Sequence, residues 1–220
     1  MMNRDEVKVM ELRQLLAQHP FALSQESVEK ILEFYGIIQA ENERQNLTRL
    51  LTPSLFFHGH VEDVLELLKW NRLQYPSLDL GSGVGVPGIL AALISSGKWV
   101  LAESEKRKAD YLARAVVQLE LQEQVQVYSG RAENFLKDHR VNCVVVRAVG
   151  SLDRIYPLIR KCSTWNNLIL FKGPAWKQEW ESFQKGRWAK ELVVQDQKSY
   201  LTGPQGDLKE RIFLKLARTS

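Results

Sequence analysis

The stretch LDLGSGVGVPG, residues 78–88, decides the fold of this chain. Its four glycines fall within eight residues, just after an apolar pair and just before a run of small apolar residues. Glycine tolerates backbone conformations that other residues avoid, so we interpret the stretch as a turn from a strand into a helix. Read from Gly83, it also fits the pattern G-x-G-x-x-G, in which the backbone comes close to a bound nucleotide. The alternative is a tight turn that binds nothing.

Short apolar runs alternate with helical patterns from residue 77 onward. Strands are predicted at 77–81, 98–104, 125–129, 143–149 and 167–173, and helices at 87–94, 105–119 and 151–162. Such alternation predicts a parallel sheet with right-handed crossovers. Two later strand-like runs, 191–201 and 210–217, are separated by only about eight residues, too few for a crossover helix. They are expected to pair as an antiparallel hairpin at the edge of the sheet.

The first 72 residues carry helical rather than strand-like spacing. The second of their helices has one apolar stripe, from Val28 to Ile38, and Ser24 as its N-cap. A third helix is predicted to begin at Thr52-Pro53, after a polar connection over 42–50. We therefore predict a helical extension, residues 1–72, packed on an α/β domain of residues 73–220.

Composition narrows the class of protein. The hydrophobic fraction is 45%, and no apolar run approaches the roughly 20 residues that span a membrane. The first residues do not resemble a signal peptide, and the two cysteines and four histidines lack metal-ligand spacing, so we expect a cytoplasmic protein with no metal and no membrane association. Residues 151–220 hold 13 basic and 7 acidic side chains, a net charge of +6. This excess is a weak indication of a polyanionic partner, and on charge alone an ordinary solvated surface is the favoured explanation.

An acidic residue at the end of the second strand bears on the ligand. Glu103 follows Gly83 by twenty residues, where a carboxylate can accept hydrogen bonds from the hydroxyls of a ribose. Both NAD and S-adenosylmethionine present such a ribose, so an NAD-dependent oxidoreductase remains an alternative. By analogy of fold, the terminal hairpin favours S-adenosylmethionine-dependent methyltransferases. Glu103 could instead be an acid that stabilises the start of the next helix.

Eight segments together resemble a known family across nearly the whole chain. They are NERQNLT (42–48), HVEDVL (60–65), LDLGSGVGVPG (78–88), SEKRKADYLARA (104–115), SGRAENF (129–135), VRAVGSL (146–152), FKG (171–173) and YL…ERIFLK (200–215). As a set they resemble the bacterial 16S ribosomal RNA guanine-N7 methyltransferases, the glucose-inhibited division protein B family. The resemblance implies a Rossmann-like methyltransferase fold with a mostly parallel seven-stranded sheet and an antiparallel edge strand. It also implies S-adenosylmethionine as cofactor, ribosomal RNA and the small ribosomal subunit as partners, and a monomer.

The resemblance also implies roles for individual residues. The expected cofactor-binding residues are Gly81, Ser82, Gly83, Gly85, Glu103, Ala132, Glu133 and Arg147. The expected substrate-binding residues are Asn46, Arg131, Lys172 and Arg211, and Arg147 and Lys172 are the expected catalytic residues. Each basic residue has a structural alternative, such as an ion pair between Arg131 and Glu133. The i, i+4 pair Trp176 and Trp180 favours packing over stacking on RNA bases.

Overall fold

The computed structural model describes residues 3–219. Within that range there are seven strands: β1 (Ser77–Leu80), β2 (Trp99–Glu103), β3 (Val125–Ser129), β4 (Val141–Val146), β5 (Trp165–Lys172), β6 (Leu192–Thr202) and β7 (Lys209–Arg218). They form one sheet in the order β3-β2-β1-β4-β5-β7-β6. The first five strands are parallel, and β7 runs antiparallel between β5 and β6. The predicted parallel sheet and terminal hairpin are confirmed.

Helices cover both faces of the sheet and form the N-terminal part of the chain. Those before the sheet are α1 (Arg4–Gln18), α2 (Gln25–Gln45), α3 (Pro53–Phe56) and α4 (Glu62–Trp70). Those that alternate with strands are α5 (Gly88–Ile94), α6 (Lys106–Gln118), α7 (Ala132–Asp138), α8 (Leu152–Ile159) and α9 (Trp176–Gln184). The side chains of Ser24 and Thr52 cap α2 and α3 as predicted, by accepting from the amides of Ser27 and Leu55.

Two apolar cores lie on opposite faces of the sheet. Helices α1 to α6 pack on one face, through residues such as Ile31, Val64 and Leu112. Helices α7 to α9 pack on the other, where Phe183 is fully buried. Burial on both faces explains why the central strands are almost continuously apolar. Three tryptophans, Trp176, Trp180 and Trp188, pack half-buried against the second core, which confirms the packing interpretation.

Three local predictions are wrong in ways that shape the site. Helix α2 extends to Gln45, so the polar connection is shorter than predicted. The third helix is interrupted by a π-helical turn, Phe57–Val61, between α3 and α4. Strand β4 ends at Val146 rather than at residue 149, because the chain leaves the sheet at Arg147 and continues through Ala148 with a φ of +58°.

Candidate cofactor and substrate site

The glycine turn joins β1 to α5 at the carboxyl edge of the sheet. Gly81, Gly83 and Gly85 have φ values of +74°, +53° and +93°, a region that favours glycine. The Gly81 amide donates to the Ala102 carbonyl (2.9 Å), which fixes the turn to β2. Within the described part of the chain, and apart from the neighbours of Gly83, the Gly81 carbonyl oxygen at 3.8 Å is the only atom within 4 Å of where a Cβ on Gly83 would lie. Space for a ligand is therefore open beside Gly83.

Gly88 lets α5 start directly against the sheet. A Cβ there would lie 2.2 Å from Cδ2 of Leu101 on β2. The Gly88 amide donates to Oδ2 of Asp79 (3.0 Å), a buried carboxyl that sequence analysis did not single out. Burial raises the pKa of Asp79 to about 7. Asp79 thus links β1 to the start of α5 behind the turn.

Glu103 is buried at the end of β2, the position at the end of the second strand that the sequence predicts for it. Its Oε2 accepts from the Gly83 amide (3.0 Å), and its Oε1 accepts from the Glu105 amide (2.8 Å). The carboxylate therefore connects the glycine turn to the start of α6. Each oxygen keeps a lone pair that a ribose hydroxyl can use, since a carboxylate offers about four acceptor sites. The contact with Glu105 also agrees with the helix-start alternative.

The segment after β3 lies against the end of β2. The Gly130 amide donates to the Glu103 carbonyl (2.8 Å), and Ala132 is buried at the start of α7. Arg131 is 69% exposed, with its NH1 3.6 Å from Oε1 of Glu133. The structural ion pair considered for Arg131 is present, although such an exposed pair contributes little stability.

Asp63 is the fully buried centre of a group of ionisable side chains, the Asp63 cluster, which also contains His60, Arg147, Tyr200 and Arg211. The Tyr200 hydroxyl donates to Oδ1 of Asp63 (2.7 Å). Oδ2 lies 3.3 Å from Nε of Arg147 and 3.5 Å from NH1 of Arg211. Burial raises the pKa of Asp63, and the two guanidinium groups oppose that shift. The cluster joins α4 to β7 and to the end of β4.

The π-helical turn supplies two further partners to Arg147. NH1 of Arg147 contacts Nδ1 of His60 (2.9 Å), and NH2 of Arg147 donates to the Gly59 carbonyl. Because arginine has no acceptor, Nδ1 of His60 is the acceptor and Nε2 carries the proton, which faces Oγ1 of Thr48 (3.4 Å). Burial, with the charge of Arg147, lowers the pKa of His60 well below its ordinary value. Arg147 is thereby held in one orientation by a neutral ring, a carbonyl and a carboxylate.

Lys172 ends β5 and is held by α9. Its Nζ donates to Oε1 of Glu179 (2.7 Å) and to the Gly150 carbonyl (3.0 Å). The same Glu179 oxygen accepts from the Leu152 amide (2.6 Å). Lys172 therefore braces the loop after β4, and its side chain is only 10% exposed.

An open pocket of about 500 Å³ lies at the carboxyl ends of β4 and β5, beside the start of β7. It is lined by Arg147, Ala148, Phe171, Lys172, Gly173, Pro174, Lys209, Glu210 and Arg211. Three residues that the sequence assigned to the substrate or the reaction thus come together. Two others do not line this pocket: Arg131 follows β3, and Asn46 is the left-handed C-cap of α2 (φ +47°).

Asn42, rather than Asn46, is the buried amide of the N-terminal motif. Its Oδ1 accepts from the Thr48 amide (2.8 Å), and Thr48 in turn faces His60. This contact positions the loop behind the Asp63 cluster. The sequence carried a signal for it, since Asn42 continues the apolar stripe of α2 four residues after Ile38.

Two kinds of feature are absent from residues 3–219. That range contains no group of three or more His, Cys, Asp or Glu side chains able to hold a metal ion. Nor does it include a helix long and apolar enough to cross a membrane.

Comparison with known proteins shows which family the chain belongs to. The family model described as GidB, rRNA small subunit methyltransferase G, matches residues 27–206. The chain belongs to this family. A ribosomal RNA small subunit methyltransferase G from Thermotoga neapolitana is 30% identical over 94% of this chain and 90% of its own length. The one from Rhodopirellula baltica is 41% identical over 63% of this chain and 60% of its own length.

Solved structures support the fold. A Pyrococcus horikoshii protein assigned as an RNA methyltransferase aligns with 86% of this chain and 98% of its own, with a TM-score of 0.56 and 17% identity. The M. capricolum protein TrmK, solved with the cofactor product S-adenosyl-homocysteine, has a TM-score of 0.50 and 11% identity over 70% of this chain and 68% of its own. The family resemblance and the methyltransferase fold are confirmed. The alternative of an NAD-dependent oxidoreductase finds no support.

Proposed function

We propose that this protein transfers the methyl group of S-adenosylmethionine to N7 of a specific guanosine in small-subunit (16S) ribosomal RNA. The observation that carries the proposal is the pocket lined by Arg147, Lys172 and Arg211, which opens at the same sheet edge as the glycine turn. Three cationic side chains are suited to an RNA segment, because RNA phosphates and guanine O6 are acceptors. Membership of the family supports the same substrate class.

The glycine turn and its surroundings fit the cofactor. Gly81, Ser82, Gly83 and Gly85 would border its methionine part, Glu103 its ribose, and Ala132 with Glu133 its adenine, while Arg147 lies between cofactor and substrate. When bound, S-adenosylmethionine supplies an electrophilic methyl group on a positively charged sulfur. The open space beside Gly83 and the free lone pairs of Glu103 are the features of this chain that favour it.

The reaction needs alignment rather than acid–base catalysis. N7 of guanine carries a lone pair at neutral pH, so no protein group has to remove a proton before it attacks. Holding two reactants in line can contribute roughly 7–11 kcal/mol. Arg147 donates one N–H of NH1 to His60 and one of NH2 to Gly59, and its Nε forms an ion pair with Asp63 at 3.3 Å. The second N–H of NH1 and of NH2 makes no hydrogen bond within residues 3–219, and in the proposed reaction these two serve the substrate. We assign Arg147 and Lys172 to the reacting base, and Arg211, Arg131 and Asn46 to the RNA around it.

Methylation of purified small ribosomal subunits tests the function. With S-adenosylmethionine, the protein should add N7-methylguanosine at one position, located by mass mapping of the RNA, while a titration with NADH should give no binding. Lys172→Ala should lower the single-turnover rate at least about tenfold, a loss of roughly 1.4 kcal/mol in transition-state binding. Lys177→Ala, an exposed lysine on α9, is the matched control and should retain the rate. Unmodified RNA, or full activity of Lys172→Ala, would overturn these assignments.

A further inference from the structure

One carboxylate lines the pocket without a partner. Glu210 is exposed at the start of β7 and lies between Lys209 and Arg211 in the sequence. The charged groups around it are engaged elsewhere: Arg211 with Asp63, and Lys209 with Asp207 (3.5 Å). Among residues 3–219, nothing forms a hydrogen bond or an ion pair with the Glu210 carboxylate.

The strand register places Glu210 beside Lys172. Ile212 lies directly opposite Lys172 in the β5–β7 pairing, so these two side chains share a face of the sheet. Glu210 precedes Ile212 by two residues and therefore lies on that same face. Arg211 points to the other face, toward Asp63. Diagonal neighbours of this kind have separations of about 7–8 Å. Glu210 and Lys172, whose ammonium group is held by Glu179, thus line the same pocket from the same face of the sheet.

This pair complements one base in particular. Along its Watson–Crick edge, guanine presents two donors, N1–H and the N2 amino group, next to the acceptor O6. Adenine presents an acceptor at N1 and a donor at N6, so a carboxylate facing its N1 would be repelled. Enzymes that act on an unstacked base recognise it through hydrogen bonds to this edge. We propose that Glu210 accepts hydrogen bonds from N1–H and N2–H of the target guanine and so makes the enzyme specific for guanosine. This inference rests on the proposed function.

A different role for Glu210 makes the opposite prediction. If the carboxylate only moderates the positive charge of the pocket, its removal should tighten RNA binding, whichever base occupies the target position. If it recognises guanine, its removal should erase the difference between guanosine and inosine, which lacks only the N2 donor.

Small-subunit RNA ligated from two pieces, with guanosine, inosine or adenosine at the methylated position, separates the two roles. Inosine keeps N1–H and O6 but lacks the N2 amino group. The wild type should methylate guanosine RNA at least about tenfold faster than inosine RNA under single-turnover conditions, the effect of one hydrogen bond to a charged group. Its equilibrium affinity, measured with S-adenosylhomocysteine present, should favour guanosine RNA in the same direction.

Glu210→Gln should bring both ratios of guanosine to inosine to within about threefold of unity, mainly through loss on guanosine RNA. Glu210→Asp, which keeps a carboxylate on a shorter stem, should recover part of the preference. Glu181→Gln, an exposed carboxylate on α9, is the matched control and should keep the wild-type ratios. An unchanged ratio in Glu210→Gln, or tighter binding and faster transfer with all three bases, would overturn the inference alone. A wild type that leaves guanosine unmethylated would overturn the proposed function and this inference with it.

Discussion

Nε of Arg147 lies 3.3 Å from Oδ2 of Asp63, so a carboxylate from the N-terminal helices neutralises a cation of the α/β sheet. Asp63 is fully buried, and Arg147 is 12% exposed on the side of the pocket. Removing one member of a buried pair leaves the other charge without compensation. The N-terminal helices therefore support one wall of the proposed substrate pocket.

Asp63→Asn tests this dependence. The change should lower the free energy of unfolding by about 3–5 kcal/mol, because two guanidinium groups lose their buried counter-charge. Urea denaturation of the purified protein measures the loss. Asp196→Asn is the control, since its exposed pair with Arg72 contributes at most about 1 kcal/mol. Equal stabilities of the two variants would contradict the assigned role of Asp63.

Glu103→Gln should weaken binding of S-adenosylhomocysteine by roughly 1–3 kcal/mol, the range for hydrogen bonds to a charged group. An amide also cannot accept from both the Gly83 and Glu105 amides, so the turn loses a support. Titration calorimetry measures the affinity. Glu105→Gln, whose carboxylate pairs with Lys108 at the surface, should bind like the wild type. Unchanged affinity in Glu103→Gln would leave that carboxylate a purely structural role.

Gly88→Ala should destabilise the fold by about 1–3 kcal/mol, because the new methyl group would overlap Leu101. Gly36→Ala is the reverse case. Gly36 lies inside α2, and no described atom outside its own helix backbone and chain neighbours is within 4 Å of its added Cβ, so alanine there should stabilise the protein by up to about 1 kcal/mol. Thermal unfolding measures the change in stability of each variant, which should be negative for Gly88→Ala and positive for Gly36→Ala. A stabilising Gly88→Ala would be inconsistent with the packing of α5 on β2.

Lys209→Ala should weaken RNA binding and make it less dependent on salt. A lysine that contacts a phosphate releases about one counterion, so the slope of log affinity against log salt should fall by about 1. Lys98 immediately precedes β2 and so lies at the amino ends of the parallel strands, away from the pocket. Lys98→Ala should leave the slope unchanged. Equal slopes for the two variants would exclude a phosphate contact at Lys209.

Asp79 makes stability depend on pH in a defined direction. Its folded-state pKa is raised to about 7, whereas in the unfolded chain it is near 4. Between these values the unfolded chain loses the proton and the native state keeps it, so stability falls as pH rises, and above about pH 7 the penalty is constant. The stability of Asp79→Asn relative to wild type should therefore increase by about 2–3 kcal/mol from pH 5 to pH 8, measured by urea unfolding. A difference that stays constant across this range would argue against the raised pKa.

The sheet could be predicted from sequence because its signals are local. The strand runs, the glycine turn and the short link between β6 and β7 each lie within a few residues. The π-helical turn could not be predicted from sequence, because Phe57–Val61 continues the helical pattern around it. The contact that distinguishes this turn, from Arg147 to the Gly59 carbonyl, involves a residue far along the chain. The early end of β4 has a similar cause, since VRAV has strand-like composition but Arg147 turns toward Asp63.

The residues of the candidate site also differ in whether local sequence signals predict their positions. The positions of the glycine turn and of Glu103 at one edge of the sheet could be predicted because motif and spacing fix them, and their role toward the cofactor stays a prediction. Asp63 could not, because an acid in an amphipathic helix normally faces water. Its position four residues before Leu67 and seven before Trp70, both buried, is the one signal that marked it as buried. The sequence assigns Glu210 no role, since only the strand register shows which face of the sheet it occupies.

The two ends of the site also differ in when they can form during synthesis. Gly83 and Glu103 are 20 positions apart, whereas Tyr200 reaches Asp63 across 137 positions. Chains fold from the N-terminus as they leave the ribosome, and contacts between distant positions wait for the later residue. The proposed cofactor end of the site can therefore form in a growing chain before the contact between Asp63 and Tyr200 beside the proposed RNA pocket. Under the proposed function, a newly synthesised chain would therefore leave the ribosome before it can bind ribosomal RNA. Binding would begin only when β6 and β7 have paired.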